Sequence, residues 1–519
     1  MRSAPLVFAT SLVVSMVATL AVRALARRWG LLDHALSSRK IHGKPIPRLG
    51  GIAIVLAFYA PVIGLVATQS TVGGLFHADR HKAFTLLAGG AAIVALGIYD
   101  DLRGADAKLK LAVQLAVAAL ACAFGVRIVE ISLPLWEGIR LGWFSLPVTL
   151  LWIAGLVNAV NLIDGLDGLA GGVALIAVAT LFALSVQDGQ PLMTLFTAAL
   201  GGAILGFLFF NFNPASIFMG DTGSMFLGFV LATASIETHE KVSTAVSMLV
   251  PMVALGIPIA DTLLAMARRT ARGVSIFSAD REHIHHKLLA LGWSQRRAVL
   301  IVYAAAALLA LVALALARLK GPQALALVGA LTVTAILALR ALGYVRLETV
   351  RKLLDERRRN LELRRSIREI AAQLRGAAQT VELWESVKAA APLLGARGVA
   401  LKLVAGQGIL QFAHGLGAAD LDHPRSKHGL LGERRVGGHL EFEWRTKGAI
   451  DRNTEIAVEA LCHHIEKALR RMDLAGERLA PARWGWRARR MGVAPVDQTR
   501  AQGRLAAAYA PDSREGPNP

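Results

Sequence analysis

Apolar runs of roughly twenty residues recur along the first 340 residues of this 519-residue chain, and they constrain its fold more than any other feature. A helix needs a run of about this length to cross the hydrocarbon core of a bilayer. Hydrophobic residues make up 54% of the sequence and the mean hydropathy is +0.49, which excludes an ordinary soluble domain. The sequence therefore predicts a polytopic α-helical membrane protein.

We expect about eleven transmembrane helices. The loops after the first and ninth spans are rich in Lys and Arg, so the positive-inside pattern places both in the cytoplasm. With an odd number of spans, the N-terminus lies outside and the long C-terminal region lies in the cytoplasm. The predicted spans are 5–26, 50–69, 83–99, 109–126, 143–162, 168–187, 192–210, 217–237, 243–267, 298–317 and 321–340.

Polar clusters interrupt these apolar runs at a few places. Residues 158–168 contain two Asn and two Asp between glycines, Asp100 and Asp101 end one apolar run, and Asp221 starts another. Carboxylates at such positions are costly to desolvate and usually serve a function. In the eleven-span scheme these clusters, together with residues 47–51 and 283–286, all fall on the cytoplasmic face. The sequence therefore predicts one polar site on that face.

The order and identity of the polar motifs resemble the polyprenyl-phosphate N-acetylhexosamine-1-phosphate transferases, over roughly residues 1–340. The resemblance implies transfer of a sugar-1-phosphate from a UDP-N-acetylhexosamine to undecaprenyl phosphate in the bacterial inner membrane, with release of UMP. It also implies a Mg²⁺ cofactor, with Mn²⁺ as an alternative. The motifs that carry it are His42, 45–51, Asp100 and Asp101, Lys110 and Gln114, 158–168, 218–224 and 280–287.

The histidine motif distinguishes two branches of that family. Residues 283–286 read His-Ile-His-His, which is more similar to the N-acetylglucosamine-1-phosphate branch than to the peptidoglycan branch. The alternative is a phospho-N-acetylmuramoyl-pentapeptide transferase. Arg103 stands where that branch usually has Lys, which favours the N-acetylglucosamine reading.

The chemistry of such a reaction independently calls for a metal. Joining a lipid phosphate to a nucleotide diphosphate brings two anions together, so a divalent cation and basic side chains must offset their repulsion. Mg²⁺ prefers oxygen ligands and takes one or two from the protein. We expect Asp221 and Asn161 to hold it. The structural alternative is that Asp221 caps the helix that begins beside it.

Three aspartates are the predicted catalytic residues: Asp100, Asp101 and Asp164. Asp100 would accept a proton from the lipid phosphate or merely orient it, and Asp101 would complete the ionic site. The alternative for this pair is a solvated loop in which both carboxylates face Arg103 and Lys108. The resemblance places Asp164 near the phosphates, whereas a turn with helix-capping aspartates is its alternative.

The remaining site residues are predicted to bind substrate. The resemblance implies that Asp167 and its neighbours hold the uridine and that the histidines contact the pyrophosphate and the hexosamine. The histidines lack a nearby ligand at metal spacing, so zinc is the weaker interpretation. We expect Asp261 to support the site, either in the same cleft or by pairing with Arg268. The predicted substrate-binding residues are Arg48, Lys110, Asn158, Asp167, Gly168, His283, His285 and His286.

Beyond the transmembrane domain, 1–340, the character of the sequence changes. We expect a charged helical linker at 341–380, a small cytoplasmic α+β domain at 381–475 and a disordered basic tail at 476–519. The pattern in the α+β domain is helix 381–394, strands 398–403 and 438–444 and helix 454–471, which faintly resembles a GAF-like sensory module. The net charge of +20 occurs without a nucleic-acid-binding motif, so we expect no nucleic acid partner.

Two rival functions remain at this stage. An ion-coupled transporter would have polar groups at the centre of the bilayer and internal repeats, whereas these polar clusters lie at one face. A regulatory scaffold that has lost activity would lack some of the acidic residues, and all of them are present.

The expected partners are the UDP-sugar, undecaprenyl phosphate and the lipid bilayer, and a homodimer is left open.

Overall fold

In a computed structural model the chain forms two compact units. One comprises Met1–Thr270 with Ser275–Val350, and the other comprises Ala271–Val274 with Arg351–Pro519. The described residues are 3–33, 45–67, 80–133, 136–239, 249–273, 283–319, 321–344, 347–405, 408–416, 424–430, 436–445 and 452–474. The predicted tail at 476–519 lies outside them.

The first unit is built almost entirely from helices. Two short antiparallel hairpins accompany them: β1 (Leu32–Asp33) with β2 (Ile46–Pro47), and β3 (Glu130–Leu133) with β4 (Trp136–Arg140). The helices are α1 Ser3–Arg28, α2 Gly51–Ala67, α3 Arg80–Arg103, α4 Ala107–Ala123, α5 Ser145–Ile163, α6 Leu169–Gln187, α7 Pro191–Asn211, α8 Gly220–His239, α9 Leu249–Ala254, α10 Gly256–Ala271, α11 Ile284–Ala290, α12 Gln295–Leu316 and α13 Pro322–Ala341.

Seven helices in the described residues are long and apolar enough to cross a membrane, which supports a polytopic membrane protein. They are α1, α3, α5 with its preceding turn, α6, α7, α12 and α13. The other four predicted spans coincide with α2, with α4, with α8 and with the pair α9 and α10. Helices α2 and α4 have 17 residues each, at the short end for a span. The count of eleven therefore stays a prediction.

Small residues let the central helices approach closely. Helix α7 packs against α1, where a side chain at Gly202 or Gly206 would clash with the carbonyl oxygens of Phe8 and Leu12. The Ser15 hydroxyl of α1 donates to the Ala203 carbonyl of α7 at 2.6 Å. Lipid provides no hydrophobic force between helices, so close backbone packing and hydrogen bonds of this kind hold them together.

Helices α3 and α8 run antiparallel and are joined by polar contacts at both ends. At one end Lys82 Nζ lies 2.5 Å from Glu237 Oε2, and at the other end Asp101 accepts hydrogen bonds from the start of α8. Helix α2 joins them through Gly51, whose Cα lies against Gly223. This packing brings the C-terminal end of α3 and the N-terminal end of α8 to one place.

The second unit contains a four-stranded antiparallel sheet packed on helices. The elements are α14 Leu347–Gly376, α15 Thr380–Leu393, β5 Ala396–Ala405, β6 Gly408–His414, β7 Arg425–Leu430, β8 Val436–Trp444 and α16 Arg452–Leu474. The strand order is β6-β5-β8-β7, and Val399, Leu401, Leu440 and Phe442 fill the core against the helices. Strands β6 and β7 were not predicted from the sequence.

Candidate active site

Two carboxylates from different helices converge on one lysine. Lys110 Nζ of α4 lies 2.6 Å from Asp100 Oδ2 at the end of α3 and 3.0 Å from Asp221 Oδ2 at the start of α8. Asp100 also accepts a hydrogen bond from the Ala105 amide at 2.6 Å. Asp100 is therefore fixed by Lys110 and the backbone, which differs from the solvated pairing with Arg103 and Lys108 that we considered.

Asp101 has a different environment from Asp100. Its Oδ1 accepts from the Asp221 amide at 2.9 Å, and its Oδ2 accepts from the Thr222 amide at 3.0 Å and the Thr222 hydroxyl at 2.6 Å. These are the amides at the start of α8 that would otherwise lack acceptors. Gly220 has a φ of +71°, and a side chain there would meet the Asp101 carboxylate. Asp101 thus caps α8 from another helix, which leaves the Asp221 carboxylate facing Lys110.

A row of amide side chains continues the site along α5. Asn158 Nδ2 donates to Gln114 Oε1 at 2.6 Å, and Asn161 Nδ2 donates to Ser224 Oγ at 2.9 Å. Asn161 also faces the Asp221 carboxylate. Gln114 and Ser224 occur in the motifs of the resemblance, but we did not predict them as site residues. Their role is visible only once α4, α5 and α8 are packed together.

The turn between α5 and α6 is fixed by hydrogen bonds to α7, to the segment that follows α7 and to α12. Gly168 has a φ of +77°, its amide donates to Asn211 Oδ1 at 3.1 Å and its carbonyl accepts from the Tyr303 hydroxyl. Asp167 Oδ2 accepts from Asn213 Nδ2 and from the Ala215 amide, each at 3.0 Å. One Asp167 oxygen therefore holds the protein backbone. Asn211, Asn213 and Tyr303 were not predicted as site residues. The only indication in the sequence is that each is a polar residue near or within an apolar run.

Asp164 follows the last residue of α5 and lies among other acids. Burial raises the pKa of Asp164 to about 7, and nearby negative charge adds to the increase. The charges belong to Asp221, Asp101 and Asp167. A carboxyl group with a pKa near neutrality can both hold and release a proton at physiological pH.

Helix α11 carries His285 and His286 beside this turn, and His283 is its N-cap residue. His283 Nδ1 lies 2.8 Å from Asp261 Oδ2, and the Ile284 amide donates to Asp261 Oδ1 at 2.8 Å. Asp261 thus contacts the histidine segment, a pairing that was not predicted from the sequence. The rings of His283 and His285 stack at 5.7 Å, and those of His285 and His286 lie 4.3 Å apart.

His285 connects α11 to the turn. It is 3% exposed, and a side chain on Gly165 would lie 2.6 Å from its Nε2, so only glycine allows this approach. Burial lowers the pKa of His285 to about 3. The imidazole is therefore neutral at pH 7, and it offers one donor and one acceptor rather than the two donors of a charged ring. Its Nε2 has no hydrogen-bond partner among the described residues.

Arg48 lies on a backbone segment that leads toward Asp221. The Phe218 amide donates to the Pro47 carbonyl at 2.9 Å, and the Gly50 amide donates to the Phe218 carbonyl at 2.9 Å. The Arg48 side chain is exposed beside this pairing. His42 and residues 280–282 of the predicted motifs lie outside the described residues.

The donor set fits a magnesium ion held largely by substrate and water. No three His, Cys, Asp or Glu side chains in the described part of the chain converge as a metal cage. Mg²⁺ needs only one or two protein carboxylates beside phosphates and waters. The Asp100 and Asp221 carboxylates already face one cation, the Lys110 ammonium. Asn161 directs its nitrogen at Ser224, so its amide would have to turn to offer oxygen.

The chain is similar in sequence to known proteins. The family described as glycosyl transferase family 4 matches residues 83–239. A probable undecaprenyl-phosphate N-acetylglucosaminyl 1-phosphate transferase of Bacillus subtilis is 39% identical over 297 residues, which cover 57% of this chain and 80% of that protein.

Two further relatives are more distant. The decaprenyl-phosphate N-acetylglucosaminephosphotransferase of Mycobacterium tuberculosis (strain H37Rv) is 34% identical over 58% of this chain and 80% of its own length. The undecaprenyl-phosphate alpha-N-acetylglucosaminyl 1-phosphate transferase of Escherichia coli K12 is 31% identical over 56% of this chain and 77% of its own length. With four fifths of the Bacillus subtilis relative covered at this identity, the chain belongs to glycosyl transferase family 4.

Proposed function

We propose that this protein transfers N-acetylglucosamine-1-phosphate from UDP-N-acetylglucosamine to undecaprenyl phosphate, and so starts a lipid-linked glycan of the bacterial cell envelope. The observation that carries the proposal is the convergence of Asp100 and Asp221 on Lys110 at the N-terminus of α8. The lysine can contact a phosphate, and the two carboxylates suit a bridging cation. The names of the relatives favour the N-acetylglucosamine branch over the muramoyl-pentapeptide alternative.

In this reaction a lipid phosphate oxygen bonds to the β-phosphorus of the nucleotide, and the bond to the UMP oxygen breaks. Lys110 contacts the phosphates, and Asp100 orients the lipid phosphate or accepts its proton. Asp164 is assigned a place beside the phosphates, with Asp221 and Asp101 nearby. Mg²⁺, held by Asp221 with Asn161 turned inward, would neutralise phosphate charge.

The donor's other groups are assigned to the neighbouring turn and helix. Asp167, through its second oxygen, and Gly168 contact the uridine, with Asn158 lining the cleft. His283, His285 and His286 face the pyrophosphate and the hexosamine. Arg48, exposed beside the start of α8, supplies positive charge at the entrance. Because His285 is neutral, its contact with the pyrophosphate is a hydrogen bond rather than an ion pair.

An assay with purified protein tests the proposed reaction. Undecaprenyl phosphate and radiolabelled UDP-sugars are supplied with Mg²⁺, with Mn²⁺ or with a chelator. The expected product is lipid-linked N-acetylglucosamine pyrophosphate from UDP-N-acetylglucosamine, formed with Mg²⁺ and abolished by the chelator. Transfer of a muramoyl-pentapeptide phosphate instead, or of no sugar at all, would contradict the proposal.

The proposed topology has eleven spans in the bacterial inner membrane. It places the active site and the C-terminal domain in the cytoplasm. Single cysteines at positions 44, 104, 165, 222 and 284, in a background without Cys122 and Cys462, should be protected from an impermeant thiol reagent in intact spheroplasts. Control cysteines at positions 138 and 189, in loops assigned to the outer face, should react. Reaction at any two of the first five positions would overturn the eleven-span scheme.

A further inference from the structure

The chain turns sharply where it leaves α13. Helix α13 ends at Ala341, and Gly343 has a φ of +77°. The Gly343 amide donates to the Arg340 carbonyl at 3.0 Å and the Tyr344 amide donates to the Leu339 carbonyl at 2.9 Å. This pair of bonds is a Schellman motif, which fixes the direction of the residue after the glycine. Tyr344 is therefore held in a set orientation.

The Tyr344 ring lies against two cations from different helices. Lys287 Nζ of α11 lies 3.5 Å from the ring centroid, and Arg268 Cζ of α10 lies 5.3 Å from it. Lys287 Nζ also lies 3.5 Å from the Leu342 carbonyl oxygen. A cation over the face of an aromatic ring is attracted to it, more strongly when water is excluded, and Arg268 is buried. The ring thus joins α10 to α11.

Helix α11 depends on such external contacts. It has only seven residues, too few for a helix to be stable alone in water. Asp261 of α10 holds its N-terminus through His283 and the Ile284 amide. Leu342 packs with Leu288 of α11 in one apolar cluster. Tyr344 and Leu342 therefore attach α11 at a second place. The Tyr344 ring contacts Lys287, which directly follows the last histidine, His286.

We propose that Tyr344 is a positioning residue of the transferase. Through Lys287 and Arg268, its ring holds α11 against the donor site. This inference rests on the proposed function of the histidines. The segment 342–344 completes the support of α11. The transferase unit therefore extends past its predicted boundary at residue 340, to residue 344. Tyr344 precedes Leu347, the first residue of α14, by three positions, and the second unit resumes within that helix at Arg351.

The test compares two substitutions in the full-length chain. Tyr344→Leu keeps an apolar side chain but removes the aromatic face, whereas Tyr344→Phe keeps the face and serves as the matched control. The expected result for Tyr344→Leu is a KM for UDP-N-acetylglucosamine about tenfold higher, from the loss of two cation contacts, with kcat within about twofold. Tyr344→Phe should have the wild-type KM.

A second measurement does not depend on activity. Amide hydrogen exchange across residues 284–290 should be faster in Tyr344→Leu than in the wild type and unchanged in Tyr344→Phe. Wild-type exchange and KM in a folded Tyr344→Leu protein would overturn the proposal, and so would faster exchange with an unchanged KM. Absence of turnover in the wild type would contradict the proposed function instead, while exchange would still test the attachment of α11.

Discussion

Asp221→Asn is expected to lower turnover at least about a hundredfold, the scale of removing one preorganised electrostatic contact. The substitution keeps the shape of the side chain and one acceptor oxygen, but it removes the negative charge that faces Lys110 and would hold Mg²⁺. The backbone around it should be unchanged, because the Asp221 amide, not its carboxylate, bonds to Asp101. The requirement for Mg²⁺ should also shift to higher concentrations.

The control for this prediction is Asp188→Asn. Asp188 follows the C-terminal end of α6, in a loop assigned to the opposite face, so the same chemical change there should leave turnover and Mg²⁺ dependence as in the wild type. Turnover is measured at saturating donor over a Mg²⁺ titration, with the melting temperature of each protein recorded. Near-normal turnover in Asp221→Asn would move the principal metal ligand to Asp100.

The helices and the location of polar clusters could be predicted from the sequence, because bilayer length and desolvation cost act on each segment separately. Within the described residues each of the eleven apolar runs coincides with helix, although 243–248 of the ninth run lie outside them and α9 and α10 divide the rest of that run. Two strands of the second unit were missed. Strand β7 alternates exposed and half-buried residues and buries only Leu430, so it lacks an apolar pattern.

The roles of neighbouring side chains could not be predicted in the same way. Asp100 and Asp101 are adjacent and chemically identical, yet they point about 100° apart around α3. One therefore faces Lys110 of α4, and the other faces the first amides of α8. Which one performs which task depends on helices that are distant in sequence. The same holds for Tyr303, which supports Gly168 across 135 positions.

Because their contacts differ, substitutions of these two adjacent aspartates should have different effects on stability. Asp101→Asn should lower stability by about 2–4 kcal/mol, because hydrogen bonds to a charged group contribute about 1.5–3 kcal/mol each. The amide that replaces one oxygen would face donors at the start of α8. Turnover should fall with it, since the Asp221 carboxylate is positioned by the capped end of α8.

Asp100→Asn should instead leave the melting temperature within a few degrees of the wild type. Asn can still accept from the Ala105 amide, although the ion pair with Lys110 is lost. Turnover should fall only about tenfold, because the second pKa of a phosphate is already near neutrality and the lipid phosphate needs little help to lose its proton. A hundredfold loss or more would indicate that Asp100 is an essential general base.

Thermal unfolding followed by tryptophan fluorescence, together with turnover at saturating donor, separates the two residues. The expected pattern is a large change in melting temperature for Asp101→Asn and a small one for Asp100→Asn. A wild-type melting temperature in Asp101→Asn with strongly reduced turnover would show that Asp101 contacts the reacting groups rather than capping α8. The original interpretation of the pair as a joint ionic site would then be restored, since capping alone could not account for a catalytic loss without a loss of stability.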